Sequence, residues 1–435
     1  MKNPYHFLGV GGIGMSALAH ILLEKGEEVS GTDLKDISHL EKLGIKVLDT
    51  LPSKGTIIYS SAIKKDHPHF LEAQKKGFLL LHRSDLLGIL LEGKKGLLVA
   101  GTHGKTTTSS LLSWTLHVAG KYPTFAIGGI LKNFQKNGGY GKGEHFVIEA
   151  DESDGTFLNY SGVGAIVTNI EKEHLDYWKG EDQLIKGFKR MLKKVKNPEL
   201  LFWCSDDPLL KKLSPQGISY GKTGELKLLS CIQEGKETIF TAAFKGKTYS
   251  DIRLSLMGEV LALNALAVFG MALQLGIDEK EVRKAFSTFE GVKRRQEKIG
   301  ESGRVTIYDD YAHHPTEIRA LLKAFRGGMK TGRLIALFQP HRVTRTRDLL
   351  ADFKNAFHEA DLTIITDIYS AGEKPIRGIN GKRLVKEMKG EPALFLEKEK
   401  ILSYLPKMLI PGDVLILMGA GDITTYGPQL LKNLL

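Results

Sequence analysis

The segment that most constrains the fold is residues 101–108, which read GTHGKTTT. It follows an apolar run, residues 96–100, that predicts a buried strand, and it leads into residues 107–119, whose Leu, Trp and Val side chains predict a packed helix. A glycine turn between a strand and a helix that begins on Lys-Thr is typical of a phosphate-binding loop. The reason is that backbone N–H groups at the helix N-terminus point at the anion.

Two side chains in this loop suit a nucleotide. Lys105 would add a full positive charge, and Thr106 offers a hydroxyl oxygen to Mg²⁺. The usual spacing, G-x-x-x-x-G-K-[ST], requires a glycine where this chain has Val99, so the loop is a variant whose first glycine is Gly101. The alternative is an ordinary strand-to-helix turn that happens to carry a lysine, and the flanking strand and helix disfavour it.

A second glycine turn lies near the start of the chain, where strands predicted at residues 5–10, 28–33 and 56–60 alternate with helices. The turn Gly9–Gly14 matches G-x-G-x-x-G, and Asp33 ends the next strand, as in a dinucleotide-binding fold. These glycines predict a phosphate or diphosphate at a helix N-terminus. An NAD-dependent oxidoreductase is the alternative, but the loop at 101–108 would have no role in such an enzyme.

Acidic residues follow two apolar runs of the middle segment, at 145–154 (HFVIEADESD) and 165–174 (AIVTNIEKEH). Because the carboxyl ends of parallel strands share one sheet edge, these acids and His174 are expected near Lys105. Carboxylates, a hydroxyl and an imidazole could together hold Mg²⁺. Glu149 is still within the apolar run, so its charge needs a partner. The acids that follow it, Asp151, Glu152 and Asp154, could instead form a solvated loop.

A third α/β unit is predicted after residue 292, with a strand that begins at 305 and runs into a polar loop, and further strands at 333–338, 362–367, 393–396 and 414–418. Pro315 occupies the favoured first position of a helix that covers 316–325. Arg342 and Arg345, with Arg347 beyond them, stand near a predicted helix start and indicate an anion such as a carboxylate or phosphate. Spacing of three would put the first two on one helix face. A basic solvated face is the alternative.

Composition sets the outer bounds. The chain has 435 residues, 42% of them hydrophobic, and formal charge +11. That length suits two or three globular domains, and we place boundaries at 1–94, 95–292 and 293–435. No apolar run approaches the ~20 residues of a membrane span, and no signal peptide is evident. Two cysteines predict reduced thiols in a cytoplasmic protein, and the scattered lysines give no reason to expect nucleic acid.

Seven blocks in one order resemble the Mur ligase family of peptidoglycan synthesis. They are HFLGVGGIGMSALA at 6, GTHGKTTT at 101, EADESDGTF at 149, TNIEKEHLD at 168, DDYAHHPTEI at 309, FQPHRVTRTRDL at 338 and GAGDI at 419. The resemblance implies an α/β fold of three domains: an N-terminal Rossmann-like domain for a UDP-sugar, a central P-loop ATPase-like parallel sheet, and a C-terminal Rossmann-like domain for an amino acid.

The same resemblance implies ATP-dependent amide formation between L-alanine and the lactyl carboxylate of UDP-N-acetylmuramate. ATP is the co-substrate and yields ADP and phosphate through an acyl phosphate. Mg²⁺, with Mn²⁺ as a substitute, is the implied cofactor. The implied protein is a cytoplasmic monomer or homodimer with no nucleic-acid or membrane partner. A recycling ligase that adds a tripeptide to the same sugar is the nearest alternative within the family, and a non-catalytic nucleotide-binding regulator is an alternative outside it.

Matching positions carry the implied site residues over to this chain. The ATP site takes Gly101, Thr102, His103, Gly104, Lys105, Thr106, Thr107, Asn264, Arg295 and Asp310. The UDP-sugar site takes Gly11, Gly12, Gly14, Ser16 and Asp33. The L-alanine site takes Tyr311, His313, Arg342 and Arg345. The metal ligands are Thr106, Glu149 and His174, and the catalytic residues are Lys105, His313, Arg295 and Asp310. His313 and His314 could also be loop histidines without a special role.

Two features depart from the family pattern. In the stretch that would touch adenine, Gly-x-His-Asn-x-x-Asn, only Gly258 and Asn264 are retained. Some members bridge a second metal with a carbamylated lysine, and Lys186 and Lys189 lie in the corresponding region. The sequence does not indicate that either lysine is modified.

Overall fold

The computed structural model describes residues 4–34, 37–388 and 390–434. Within them the chain forms three β-sheets, of five, ten and six strands, and each sheet is built from one consecutive stretch of sequence. The three-domain α/β fold predicted from the sequence is therefore confirmed. The exact boundaries at 94 and 292 stay predictions.

The first sheet is wholly parallel, with strand order β3-β2-β1-β4-β5. Its elements are β1 (Tyr5–Leu8), α1 (Ile13–Glu24), β2 (Val29–Thr32), α2 (Ser38–Glu41), β3 (Lys46–Val47), β4 (Thr56–Tyr59), α3 (Pro68–Lys75), β5 (Leu79–His82) and α4 (Arg83–Leu91). The order reverses direction at β1, which makes the turn after β1 a topological switch point, the place where such sheets bind ligands.

The second sheet has the order β15-β14-β13-β12-β11-β10-β6-β9-β7-β8. Its elements are β6 (Lys95–Ala100), α5 (Lys105–Val118), β7 (Thr124–Leu131), β8 (Lys136–Gly139), β9 (His145–Glu149), β10 (Gly164–Val167), α6 (Leu175–Trp178), α7 (Glu181–Leu192), β11 (Leu201–Cys204), α8 (Pro208–Leu213), β12 (Ile218–Gly221), β13 (Leu226–Glu234), β14 (Glu237–Phe244), β15 (Lys247–Leu254), α9 (Glu259–Gln274) and α10 (Glu279–Ser287). Helix α5 begins at Lys105, on the Lys-Thr pair that follows the glycine turn, and the antiparallel pair β7–β8 was not predicted.

The third sheet has the order β16-β17-β21-β18-β19-β20, parallel except at the β16 edge. Its elements are β16 (Glu297–Ser302), β17 (Val305–Asp310), α11 (Pro315–Gly328), β18 (Leu334–Phe338), α12 (Val343–Asp348), α13 (Leu350–Phe353), β19 (Leu362–Ile365), α14 (Gly381–Glu387), β20 (Ala393–Phe395), α15 (Ile401–Met408), β21 (Val414–Met418) and α16 (Tyr426–Asn433). The predicted strand that begins at 305 starts at the observed residue, and the other four predicted strands agree with observed ones within two residues at each end.

By compactness the chain divides into two units. The first extends through Ser230 and takes in Phe240–Arg253 and Leu263–Glu290, so it contains the whole first sheet. The second comprises Cys231–Ile239, Leu254–Ala262 and the chain from Gly291 onward. No helix among the described residues combines the length and the apolar character that a membrane span requires.

Close packing joins the first two sheets within the first unit. Helix α1 is buried from Met15 to Leu22, and β8 lies against it. A Cβ atom on Gly138 would stand 2.2 Å from the carbonyl oxygen of Ala17, so a glycine is required at this approach. The buried Asn137 amide donates to the hydroxyl of Ser16, 2.9 Å away. Ser16, predicted to lie in the sugar site, therefore also anchors this packing.

Candidate functional site

The loop of residues 101–104 lies at the carboxyl edge of the second sheet, directly after β6. Strand β6 lies between β9 and β10, so the segments that follow those two strands flank the loop on either side. These are the segments in which the sequence placed the acids and His174. The predicted gathering of charged residues at one sheet edge follows from this strand order.

The loop needs its two glycines for two different reasons. Gly101 has φ +131°, and a Cβ there would stand 2.1 Å from the hydroxyl of Thr168. Gly104 has φ +82°, and a Cβ there would stand 2.5 Å from the amide nitrogen of Asn264. Both backbone conformations are rare for residues that have a side chain. Asn264, predicted to bind ATP, is thus placed against the loop.

Residues that follow β10 fix the conformation of the loop through hydrogen bonds. The N–H groups of Thr102 and His103 donate to the backbone and side-chain oxygens of Asn169, at 3.1 and 2.8 Å. The Thr168 hydroxyl and the Asn169 amide both donate to the carbonyl of His103. The imidazole of His103 lies 3.3 Å from a carboxylate oxygen of Glu171. Loop shape is therefore fixed by neighbours and not by its own residues alone.

Lys105 is the first residue of α5, and its ammonium group is almost enclosed. It donates to the carbonyls of Gly101 and Thr102, and its Nζ lies 2.7 Å from Glu152 and 3.6 Å from Asp151. Burial alone would lower the pKa of Lys105, but the charges of Glu152 and Asp151 outweigh it and raise that pKa. The ammonium therefore stays charged, and an incoming phosphate must exchange with these partners.

Glu152 is one of the three acids for which the sequence left a solvated loop as an alternative. Its side chain is only 1% exposed, which rules out the solvated-loop alternative for this position. Burial raises the pKa of Glu152 to about 7, an effect that the nearby Lys105 charge partly offsets. The only sequence signal was its position in the acid run that follows β9. Asp151 also pairs with Lys105, and the hydroxyl of Ser153 donates to it.

Thr106 and Glu149 form a pair of oxygen donors beside Lys105. The Thr106 hydroxyl donates to Glu149 at 2.9 Å, and the Gly128 N–H donates to the other carboxylate oxygen at 2.6 Å. A Cβ on Gly128 would stand 2.7 Å from Glu149, so the carboxylate lies in a fitted cradle. Burial raises the pKa of Glu149, with the Lys105 charge opposing it. A buried hydroxyl beside a half-buried carboxylate fits Mg²⁺, which prefers such oxygen ligands.

His174, the third predicted metal ligand, comes directly before α6 with φ +55°. Its Nε2 lies 3.7 Å from a carboxylate oxygen of Glu173. Burial alone would raise the pKa of Asp151, but the charge of Lys105 and the Ser153 hydroxyl lower it. The charge of His174 makes a smaller contribution that also lowers this pKa. The electrostatic effect on Asp151 thus associates His174 with the acid run.

Asp154 connects this acid run to the first sheet. Its carboxylate accepts hydrogen bonds from Arg83 at 2.9 Å, from Ser61 at 3.0 Å and from the N–H and hydroxyl of Thr156. Burial alone would raise the pKa of Asp154, but the Thr156 hydrogen bond and the Arg83 charge lower it to about 2. Arg83, which the sequence reasoning did not select, is the residue that reaches both this acid and the glycine turn.

The first glycine turn is hydrogen-bonded to Asp33, the acid at the end of the next strand. The Gly11 N–H donates to Asp33 at 2.8 Å, and Gly12 immediately precedes α1. A Cβ on Gly14 would stand 3.1 Å from an Arg83 guanidinium nitrogen. The five residues predicted for the UDP-sugar are therefore brought together at the start of α1, with Arg83 beside them.

In the second unit, three predicted residues, Arg295, Tyr311 and His313, lie together near the end of β17. The ring of Tyr311 lies under the guanidinium groups of Arg294 and Arg295, at 4.9 and 5.0 Å. The His313 ring packs edge-on against Tyr311, and His313 Nδ1 lies 3.0 Å from the Tyr311 carbonyl. Because a carbonyl only accepts, Nδ1 carries the proton and Nε2 is the unprotonated nitrogen in the neutral ring. His314 caps α11 by accepting from the Thr316 N–H, which is a structural role.

Asp310 is buried and holds two backbone groups, accepting from the N–H of Gln296 at 2.7 Å and of Ala312 at 2.8 Å. Burial raises the pKa of Asp310 to about 6, with the Arg295 charge opposing that shift. Arg295 itself lies 4.0 Å from Glu317. Asp310 thus ties Ala312, within the loop that carries Tyr311 and His313, to Gln296, the residue before β16.

The prediction that Arg342 and Arg345 share a helix face is wrong. Arg342 precedes α12 and has φ +69°, so helical spacing does not relate the two residues. Each has its own partner: Arg342 Nε donates to Glu373 at 2.7 Å, and Arg345 donates to Nδ1 of His341 at 3.1 Å. The ring of His341 also packs against His313, 5.8 Å between centroids, so Arg345 and His313 belong to one cluster.

The two departures from the expected pattern have clear locations. Gly258 has φ +103°, a conformation that explains why a glycine is kept there. Lys186 and Lys189 are both exposed on α7.

Thr107, predicted to lie in the ATP site, is buried in the first turn of α5, beside Thr106.

Comparison with known protein families gives three matches in chain order: the catalytic domain of the Mur ligase family over residues 4–95, the Mur ligase middle domain over 99–272, and the Mur ligase glutamate ligase domain over 294–421. A UDP-N-acetylmuramate–L-alanine ligase of Protochlamydia amoebophila is 43% identical over 449 aligned residues, which cover 100% of this chain and 99% of the relative. The corresponding ligase of Anaeromyxobacter dehalogenans is 38% identical, with 99% and 97% covered.

Among solved structures, the UDP-N-acetylmuramate–alanine ligase of Thermotoga maritima superposes with a TM-score of 0.86 at 28% identity. The superposition covers 99% of this chain and 98% of that one. The likeness therefore extends over all three sheets and is not confined to the phosphate loop.

The Asp154 carboxylate predicts a pH-dependent contribution to stability. Because its pKa is depressed from 3.8 to about 2 in the folded chain, the contribution is complete above about pH 4 and is lost as the pH falls toward 2. We expect Asp154→Asn to lower the free energy of unfolding by about 2 kcal/mol at pH 7, with a smaller difference from wild type at pH 3. Urea unfolding of both proteins at each pH measures this.

Glu72→Gln is the control, because Glu72 pairs with Lys76 on an exposed helix face where ion pairs contribute little. Equal unfolding free energies for wild type and Asp154→Asn at pH 7 would show that the Arg83–Asp154 contact is not stabilising.

Proposed function

The chain belongs to the Mur ligase family, and from this premise we propose that it joins L-alanine to the lactyl carboxylate of UDP-N-acetylmuramate while ATP becomes ADP and phosphate. The observation that carries the proposal is the buried Lys105 at the start of α5, between a glycine loop and the acids that follow β9. This arrangement places one fixed positive charge where a triphosphate would rest on a helix N-terminus.

The reaction requires a carboxylate to become an acyl donor. A carboxylate has no adequate leaving group, so transfer of the γ-phosphoryl group to it gives an acyl phosphate that an amine can attack. Both reactants of that first step are anions, and bringing them together needs compensating positive charge. Lys105 supplies such a charge, and the raised pKa keeps it protonated at neutral pH.

Thr106 and Glu149 would hold Mg²⁺, with His174 as a further ligand. Their oxygen atoms already lie 2.9 Å apart in a fitted cradle next to Lys105. When bound, the ion neutralises phosphate charge. Mn²⁺ would suit the same oxygen donors. The remaining loop residues, from Gly101 to Thr107, would line the phosphates with backbone N–H groups, and Asn264 would contact the nucleotide beside Gly104.

In the second unit, the cluster of Tyr311, His313, Arg342 and Arg345 would bind L-alanine. Guanidinium groups match a carboxylate through paired hydrogen bonds, which suits the amino acid's own carboxylate. The Nε2 atom of His313, the nitrogen without a proton in this tautomer, would accept a proton from the amine. Arg295 and Asp310 would take part in nucleotide binding. Asp310 also holds the loop that bears Tyr311.

The turn at Gly11, Gly12 and Gly14 would receive the UDP diphosphate, and Ser16 and Asp33 complete that site. We further propose that the enzyme works in the cytoplasm as a monomer or homodimer, with domain boundaries at 94 and 292.

A single assay tests the activity. Phosphate release is measured with ATP, Mg²⁺ and either one of the twenty amino acids or the tripeptide, with UDP-N-acetylmuramate present and absent. NAD(P)H absorbance is followed in a parallel sample. We expect release that needs both the sugar and L-alanine, with ADP as the nucleotide product. Formation of AMP and pyrophosphate would reject phosphoryl transfer. Release with the tripeptide but not with L-alanine would favour the recycling ligase. No release under any condition would favour a nucleotide-binding regulator, and oxidation of NAD(P)H would favour a dehydrogenase.

Lys105→Ala should reduce phosphate release by roughly a thousandfold or more, because the substitution removes the fixed positive charge beside the transferred group. Binding of UDP-N-acetylmuramate, measured by calorimetry without ATP, should persist, since the glycine turn of the first sheet is unchanged. Turnover equal to wild type would remove Lys105 from the mechanism.

Arg342→Lys and Arg345→Lys should each raise the KM for L-alanine by roughly ten- to a hundredfold, because an ammonium cannot make the paired hydrogen bonds of a guanidinium. The KM for ATP should change far less. Steady-state kinetics with each substrate varied in turn provides both constants. An equal rise in the two would argue against binding of the amino-acid carboxylate by these arginines.

A further inference from the structure

Glu373 makes the contacts that fix the start of α12. Its carboxylate accepts hydrogen bonds from Arg342 Nε at 2.7 Å, from the Thr344 hydroxyl at 2.7 Å and from the Thr344 N–H at 2.9 Å. Glu373 lies in the irregular segment between β19 and α14, 31 residues beyond Arg342 in the chain. One side chain therefore holds both the guanidinium and the first turn of the helix that bears Arg345.

The backbone of Arg342 shows that this region is held by its surroundings. Its φ of +69° is uncommon for a residue with a side chain and persists only where neighbouring contacts impose it. Two backbone hydrogen bonds do so, from the Arg342 N–H to the Tyr369 carbonyl at 2.8 Å and from the Tyr369 N–H to the Pro340 carbonyl at 2.9 Å. The rings of His341 and Tyr369 stack, 5.7 Å apart and 9° from parallel.

The charge state of Glu373 agrees with these contacts. Burial alone would raise the pKa of Glu373, but the hydrogen bonds from Thr344 and the charge of Arg342 outweigh it and lower that pKa. The group is therefore ionised at neutral pH, and its bonds to Arg342 and Thr344 are charge-assisted. Such bonds are shorter and stronger than neutral ones, which suits a role in holding a flexible side chain.

We infer that Glu373 is a positioning residue for the amino-acid substrate: by binding Arg342 at Nε it fixes the plane of the guanidinium that meets the L-alanine carboxylate. The inference rests on the proposed function, because it takes Arg342 as a ligand of that carboxylate. An arginine side chain has several rotatable bonds, and fixing one edge of the fork in advance removes entropy loss from the binding step.

Glu373→Gln tests the inference because it keeps the size of the side chain and removes the charge. We expect the KM for L-alanine to rise roughly tenfold, kcat to stay within about twofold of wild type, and the KM for ATP to be unchanged. Any other amino acid that is turned over should suffer the same factor, since all share the carboxylate. A rise in all substrate constants together would overturn the inference in favour of a general structural role.

Asp348→Asn is the matched control. Asp348 pairs with Arg347 in the same short helix at the same 2.7 Å, but both side chains are at least half exposed. Its removal should leave the KM for L-alanine unchanged. A tenfold rise in this control would show that loss of any carboxylate that pairs with an arginine of this region has the effect, and would overturn the assignment to Glu373. Should Glu373→Gln melt below the assay temperature, Glu373→Asp replaces it and should give an intermediate KM.

The double variant separates failure of the inference from failure of the proposed function. If Glu373 acts through Arg342, adding Glu373→Gln to Arg342→Lys should raise the KM no further. If the two factors multiply, the residues act independently and the inference is wrong. If Arg342→Lys raises the KM and Glu373→Gln does not, only the positioning role fails. If neither variant changes it, the proposed amino-acid site itself is wrong.

Discussion

The enclosure of one positive charge by acids of its own chain is the constraint on which the phosphate loop depends. The Lys105 ammonium touches two loop carbonyls, Glu152 and Asp151, and only 11% of its side chain is exposed. A buried charge without such partners would be costly, so the acids after β9 are required for the lysine to be there at all. A ligand that displaces these carboxylates from Lys105 must itself carry strong negative charge, as a triphosphate does.

The backbone around that charge is equally constrained. Gly101 and Gly104 adopt conformations that a side chain would strain, and each is crowded by a residue from elsewhere in the chain, Thr168 and Asn264. The loop is therefore not a free-standing motif. Its conformation depends on Asn169, which follows β10 and accepts a hydrogen bond from the His103 N–H, and on Asn264 of α9, which packs against Gly104.

In the second unit the positioning partners of the two arginines come from different places. Arg345 is held by His341, four residues earlier, while Arg342 is held by Glu373 across an irregular segment. The histidine contact is local and lies within a recognisable motif, FQPHRVTRTRDL. The glutamate contact is not, and nothing in the sequence singles Glu373 out. This difference explains why arginines could be predicted as anion ligands while the residue that orients one of them could not.

Local chemistry was sufficient to determine much of this protein from sequence. The alternation of apolar runs with helices, the glycine turns, and the acids placed after strands predicted three α/β domains and brought Lys105, Thr106 and Glu149 to one sheet edge, because parallel strands end together. Only the tertiary structure decided which acids are buried. In the tertiary structure Glu152 forms an ion pair with Lys105, and Asp154 forms one with Arg83. Arg342 lies before the helix to which its spacing assigned it. The physical reason is that burial, backbone strain and long-range pairing depend on segments far apart in the chain, which periodicity and motif spacing do not encode.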